Sequence, residues 1–214
     1  MLHCIGDSHA SIFSGSEVMQ HAWPQRSNDS IPGIRSYRIG AATAYNLKSK
    51  MPIIDEILSS VLCDEDLVMF CFGEVDCRAH LKKQMDLQRR SLDDIVEECV
   101  DRYFSVIMDY SSRGVSMSLW GPVASHGIEN PYTTGPSFGT PEERNQITEK
   151  FNVYLKSLCL EKGIPFATAF YAMTEDVGDN VRKTNVFYTD SVGIHLNQNS
   201  VMMALDILEE EGII

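Results

Sequence analysis

Five short apolar runs are spread along the chain: Leu2–Ile5, Ile34–Ile39, Leu67–Phe72, Val115–Trp120 and Pro165–Ala169. The third, "LVMFCF", is apolar at every position rather than at alternate ones, the pattern of a strand covered on both faces in a parallel sheet. Between the runs the period changes to that of a helix. In "SLDDIVEECVDRYFSVIMDYSSRG", Leu92, Ile95, Val96, Cys99, Val100, Tyr103, Ile107 and Met108 form one continuous stripe. Ser91 is placed to cap its start and Gly114 to stop its end. "TPEERNQITEKFNVYLKSLCLEKG" repeats the logic, with Thr140 as cap, Pro141 at the first helical position and Glu142 and Glu143 at the positive helix end. Two further helical stretches are "TAYNLKSKMPIIDEILSSVL", broken by Pro52, and "QNSVMMALDILEEEG". Strands alternating with helices predict an α/β fold with a parallel sheet and right-handed crossovers.

Composition narrows the class of partner. The 214 residues are 43% hydrophobic and 22% charged, which suits one globular domain with a sizeable core. A net charge of −12 argues against nucleic acid or an anionic membrane as partner. The six cysteines include no CxxC pair and no zinc-ligand spacing. Cys4, Cys71, Cys99 and Cys159 lie in apolar patterns and read as reduced core residues. With no export-signal pattern and no apolar run near 18 residues, the expected location is cytoplasmic.

In a parallel sheet, functional groups gather beyond the carboxyl ends of the strands. The first strand delivers Gly6-Asp7-Ser8-His9, the second Gly40, the third "GEVDCR" (73–78) and the fourth "GPVASHG" (121–127). The region before the last helix delivers "YTDSVGIHLN" (188–197). Taken in order, these blocks resemble those of the SGNH (GDSL-type) hydrolases. "GDSH" resembles the nucleophile block, "IGAAT" the block whose glycine lends an amide to an oxyanion hole, "GEVD" the Gly-x-Asn-Asp block, and "DSVGIHLN" the block carrying acid and base. The resemblance runs from Gly6 to Asn197. It implies one domain over 1–214, a three-layer α/β/α sandwich with a flavodoxin-like five-stranded parallel sheet.

The chemistry stands beside the resemblance. A serine hydroxyl is a poor nucleophile until a base reaches it; Ser8 has a candidate base in His195 and a candidate orienting acid in Asp190. The amides at Ser8 and Gly40 are candidates for holding an oxyanion. Asp7-Ser8 also reads more plainly as a pair opening a helix.

Two positions depart from the family pattern. Val75 stands where the family has an asparagine donor, and Val192 where it has the acid, three residues before the histidine. Arg78 is the candidate replacement donor; it can instead clamp an anionic group of the substrate, or pair with Glu74 or Asp76. With Gly40, Arg78 and Glu74 are the expected oxyanion and substrate-binding residues. Asp190, five residues before His195, reaches it only if the loop folds back at Gly193.

The resemblance implies a serine esterase that cleaves a small O-acyl group, with acetyl on a carbohydrate as the expected substrate, without cofactor or metal. The expected partner is a small-molecule or glycan ester. Trp120, Tyr132 and Phe138 in and beside the Gly/Pro-rich loop (121–139) are candidates for stacking on a sugar, and His126 is read as a solvated loop residue. Three rivals remain open: a glycan- or ligand-binding module that has lost catalysis, an acyltransferase using the same serine, and a metal-dependent phosphoesterase built on Asp7, His9, Glu74, Asp76 and Asp190.

Overall fold

The computed structural model describes residues 1–25, 29–125, 137–178, 181–190 and 193–214; His126, Tyr132 and Val192 lie outside them. Five parallel strands form one sheet: β1 (Leu2–Gly6), β2 (Ile34–Arg38), β3 (Leu67–Cys71), β4 (Met117–Trp120) and β5 (Phe166–Ala167). Their order is β2-β1-β3-β4-β5, so the expected flavodoxin-like sheet is the one present. The helices are α1 (Met51–Val61), α2 (Leu81–Gln88), α3 (Leu92–Ser112), α4 (Pro141–Lys162) and α5 (Ser200–Glu210). A short antiparallel hairpin, β6 (Thr174–Asp176) and β7 (Arg182–Thr184), stands apart from the sheet.

The two-residue alternation of β3 explains why "LVMFCF" carries no polar position. Val68, Phe70 and Phe72 enter a core shared with α1, α3 and α4, while Met69 and Cys71 enter a second core on the opposite face, with Ala10, Phe13, Ala204 and Leu208. That second face is covered by the 3-10 helix Ser8–Ser14 and by α5. Among the described residues, no helix is long and apolar enough to cross a membrane.

Local signals set the helix ends. Ser91 accepts a hydrogen bond from the Asp94 amide and caps α3. Thr140 and Glu143 form a reciprocal capping box on α4, which ends at Gly163 in the left-handed region. Pro52 sits in the first turn of α1, after a separate 3-10 turn over Leu47–Lys50. Two elements lay outside the sequence reading. In α2 the only buried residue is Leu81, so "LKKQMDLQ" has no apolar stripe to betray it; the strands of the β6–β7 hairpin are three residues each and rich in charge.

Strand order reverses beside β1: the chain moves outward to β2, then crosses back to β3, β4 and β5. Such a switch point leaves a crevice at the carboxyl ends of β1 and β3. Gly6 and Cys71 are paired at that end. Gly6 has no room for a side chain: a Cβ there meets the Cys71 carbonyl and lies 2.9 Å from the Ala10 Cβ. Phe70 lies fully buried one position back, 5.4 Å from the Tyr110 ring. Phe70→Ala is expected to lower the free energy of unfolding by about 3–5 kcal/mol, read by denaturant titration; a loss below about 1 kcal/mol argues against this packing.

Candidate active site

The chain after β1 turns at once into the 3-10 helix Ser8–Ser14. Asp7 is its cap: its Oδ1 accepts from the His9 amide at 2.8 Å. The plain reading of Asp7-Ser8 as a helix start therefore holds for Asp7. Ser8, the first residue of the turn, does something else. Its Oγ lies 2.9 Å from His195 Nε2, across 187 residues of sequence.

The loop 190–195 accounts for the spacing that departs from the family pattern. A backbone bond from Asp190 N–H to the His195 carbonyl (2.8 Å) closes it, and Gly193, at φ +72°, donates to the Asp190 carbonyl at 3.0 Å. Thr189 and Leu196 continue the pairing as an antiparallel bridge. With its ends pinned, the loop brings the side chain of Asp190 back onto the ring, Oδ2 to Nδ1 at 3.0 Å, while Oδ1 accepts from the Ile194 amide. Burial alone would raise the Asp190 carboxyl; the Ile194 amide and His195 outweigh it and hold it below the usual range. An ionised Asp190 fixes Nδ1 as the protonated nitrogen, which leaves Nε2 free to accept from Ser8.

A second buried group underlies the first. His9 Nε2 and Glu74 Oε2 are 2.8 Å apart, and Arg78 donates through Nε to Glu74 Oε1 at 2.7 Å and through Nη2 to Oε2 at 3.2 Å. All three side chains are buried. The β1–β3 register produces the contact: His9 and Glu74 each lie three residues beyond the paired Gly6 and Cys71. Burial would lift Glu74, but His9 and Arg78 hold it down at about 2. Burial would lower His9, yet Glu74 and Asp7 raise it above the ordinary histidine value. The His9 and His195 rings are 4.9 Å apart. Burial first, and the charge of His9 second, push His195 down to about 4, so at neutral pH its ring is uncharged and able to accept a proton.

The other sequence candidates have definite places. Gly40 follows Ile39, whose amide donates to the Gly6 carbonyl at 2.9 Å, so it lies beside the Ser8 turn. Val75 begins the turn that runs through Asp76–His80 into α2 and brings no polar group. Glu74 and Arg78 meet each other and His9. Asp76 is buried and accepts from the amides of Ala44 (2.7 Å) and Tyr45 (3.3 Å), bracing the loop after β2; burial pushes it up to about 7. Asp7, Glu74, Asp76 and Asp190 thus each have other partners, and among the described residues no three metal-ligating side chains converge.

Trp120 corrects an expectation. It is 2% exposed and packs edge-on against Phe13 at 5.0 Å, so it belongs to the core and offers no face to a sugar. Its position at the end of an apolar strand already favoured burial. Phe138 is 38% exposed, with the Lys83 ammonium 5.2 Å above its ring. The role of His9 went unread because its partner is distant in sequence; the parallel pairing of the first and third runs was the signal that would have found it.

No family model and no curated protein matches the chain by sequence. Solved structures do match. A GDSL-like lipase from Bacteroides thetaiotaomicron aligns over 100% of this chain and 88% of its own, with TM-score 0.58 and 17% identity. A carbohydrate acetylesterase from Sinorhizobium meliloti aligns over 99% and 98%, with TM-score 0.56 and 17% identity. An acetyl xylan esterase aligns over the full length of both chains, with TM-score 0.55 and 15% identity. The likeness is one of fold: the chain has the three-layer α/β architecture of these hydrolases.

The histidine pair can be tested directly. NMR titration of the imidazoles is expected to find His195 losing its proton near pH 4. In His9→Asn the His195 value rises but stays below the ordinary 6.5, because the burial remains. An unchanged His195 titration in His9→Asn rules out the electrostatic link.

Proposed function

We propose that this chain, folded like the GDSL-type hydrolases, is a serine esterase that works through an acyl-serine intermediate on a small O-acyl ester. One observation carries the reading: the unbroken line from Ser8 Oγ through His195 to Asp190, at 2.9 and 3.0 Å. Ser8 attacks the ester carbonyl while its proton passes to His195 Nε2, and Asp190 stabilises the imidazolium so formed. The developing oxyanion is held by backbone amides, those of Ser8 and Gly40, because the Val75 side chain has no donor to offer. Collapse of the tetrahedral intermediate breaks the bond to the alcohol, which takes the proton from His195. Water then attacks the acyl-serine as it gives a proton to His195 Nε2; the second tetrahedral intermediate breaks its bond to Ser8 Oγ, which takes that proton back, and the carboxylic acid leaves. Every proton and bond in this cycle is accounted for without a cofactor.

Glu74 and Arg78 act at one remove in this mechanism: they hold His9 against the base rather than touch the substrate. Acetyl is the acyl group we favour and a carbohydrate the alcohol. Two proteins of like fold are described as a carbohydrate acetylesterase and an acetyl xylan esterase. The second reading, a binding module, draws on Val75, since the hole lacks a side-chain donor.

A fluorophosphonate probe followed by peptide mapping separates the two. Labelling is expected on the N-terminal peptide at Ser8, and it is lost in Ser8→Ala and His195→Ala. Hydrolysis of p-nitrophenyl acetate is expected to fall by about 10⁴-fold in Asp190→Asn, through the wrong tautomer. Because the reaction needs neutral His195, kcat/KM is present above its titration and lost as pH falls through about 4. An unlabelled Ser8, with no turnover of any short ester, favours the module.

A further inference from the structure

We infer that Asn197 is a positioning residue that clasps the arm carrying the acid to the arm carrying the base, and so holds Asp190 on His195. The inference rests on the esterase reading and goes further, because it assigns a role to a side chain outside the Ser8–His195–Asp190 line.

The chain reaches Asp190 through a short 3-10 helix, Val186–Tyr188. Two of its three side chains pack on little: Val186 and Phe187 are 56% and 58% exposed. The hold on this arm is polar instead. Asn197, two residues beyond His195, donates through Nδ2 to the carbonyls of Phe187 at 2.8 Å and Thr189 at 2.7 Å. The Tyr188 carbonyl between them accepts from the Asn197 backbone amide at 3.1 Å and from Ser200 Oγ at 2.7 Å. Three successive carbonyls are thus gripped, the last of them belonging to the residue before Asp190.

The grip is anchored on firm structure. Ser200 opens α5 and is buried, and α5 packs through Ala204 and Leu208 into the core that also takes Ala10 and Phe13 from the helix of Ser8. The backbone bond from Asp190 to His195 closes the loop 190–195 at its neck. Beside the Thr189–Leu196 bridge, Asn197 holds the two arms of that neck together.

Asn197 borders the groove beside Ser8, yet its side-chain amide is already committed. Such an amide has two N–H donors and one acceptor oxygen. The donors go to Phe187 and Thr189, and Oδ1 accepts from the Asn199 backbone amide at 2.9 Å. No donor is left for a substrate. Thr189 is buried, and a buried carbonyl stripped of its donor is costly enough to shift the backbone toward another. Asp190 is the next residue and shifts with it, away from His195 Nδ1, which it now meets at 3.0 Å.

The test is a double-mutant cycle on kcat and KM for p-nitrophenyl acetate, with Asn197→Ala, Asp190→Asn and the pair. Asn197→Ala is expected to lower kcat by about 10–100-fold, the scale of a misplaced catalytic group, while KM stays within about 2-fold. In the Asp190→Asn background the same change is expected to cost less than about 2-fold, because the acid that it places has already gone. Asn197→Asp keeps the acceptor but loses both donors, and is expected to behave as Asn197→Ala does. It takes that variant's place in the cycle if thermal melting shows Asn197→Ala unfolded at the assay temperature. The inference is overturned by an equal loss in both backgrounds, which marks a purely structural role, or by a rise in KM at constant kcat, which marks a substrate contact. Full activity in either Asn197 variant overturns it as well, since the donors are then dispensable. A wild type that neither turns over the ester nor takes a fluorophosphonate label on Ser8 sinks the esterase reading itself.

Discussion

The pairing of β1 with β3 governs the site. Both strands end in the same register, Gly6 opposite Cys71, and both are flanked by cores on two faces. A slip of one residue would exchange the faces of every side chain on a strand, so the two cores hold the register. The consequence is local and chemical: the residues beyond each strand end are brought face to face. Gly6 allows this by carrying no side chain where the Cys71 carbonyl closes in.

What faces what at the crevice is a set of charges that make sense only together. Glu74 is buried with His9 on one side and Arg78 on the other. A carboxylate in that position without partners would take up a proton rather than stay charged; with two cationic partners it is held ionised. The ionised carboxylate in turn keeps a charge on His9, and that charge disfavours a second one on His195. Removing any one member would leave the others buried and uncompensated, which is the costly way to break such a group.

Much of this was legible in the chain. The parallel sheet and two helix starts followed from period and from Ser91, Thr140 and Pro141, because those signals are local. The order of the blocks singled out Ser8 and His195 as residues of interest, and the structure brings them together. The weaker signals failed for physical reasons. α2 buries too little to have a stripe, and Trp120 looked available only because its strand end could not be told from the loop beyond it. The Asp190–His195 spacing departed from the familiar pattern, and only the backbone bonds of the loop explain how five residues do the work of three. The Glu74–His9 contact depends on which strands are neighbours, which periodicity does not reveal.

Ser8 and His195 are separated by 187 residues, and this has a bearing on how the molecule is made. During synthesis at about 5–20 residues per second, some 10–40 s pass between the appearance of the alcohol and that of its base. Throughout that interval β1 can pair and pack, yet the serine beside it remains an ordinary hydroxyl. On the esterase reading proposed above, nucleophilicity arrives last, when the loop carrying His195 closes against the sheet. An enzyme of that kind is chemically quiet while it is being built and becomes reactive only when its two distant parts meet.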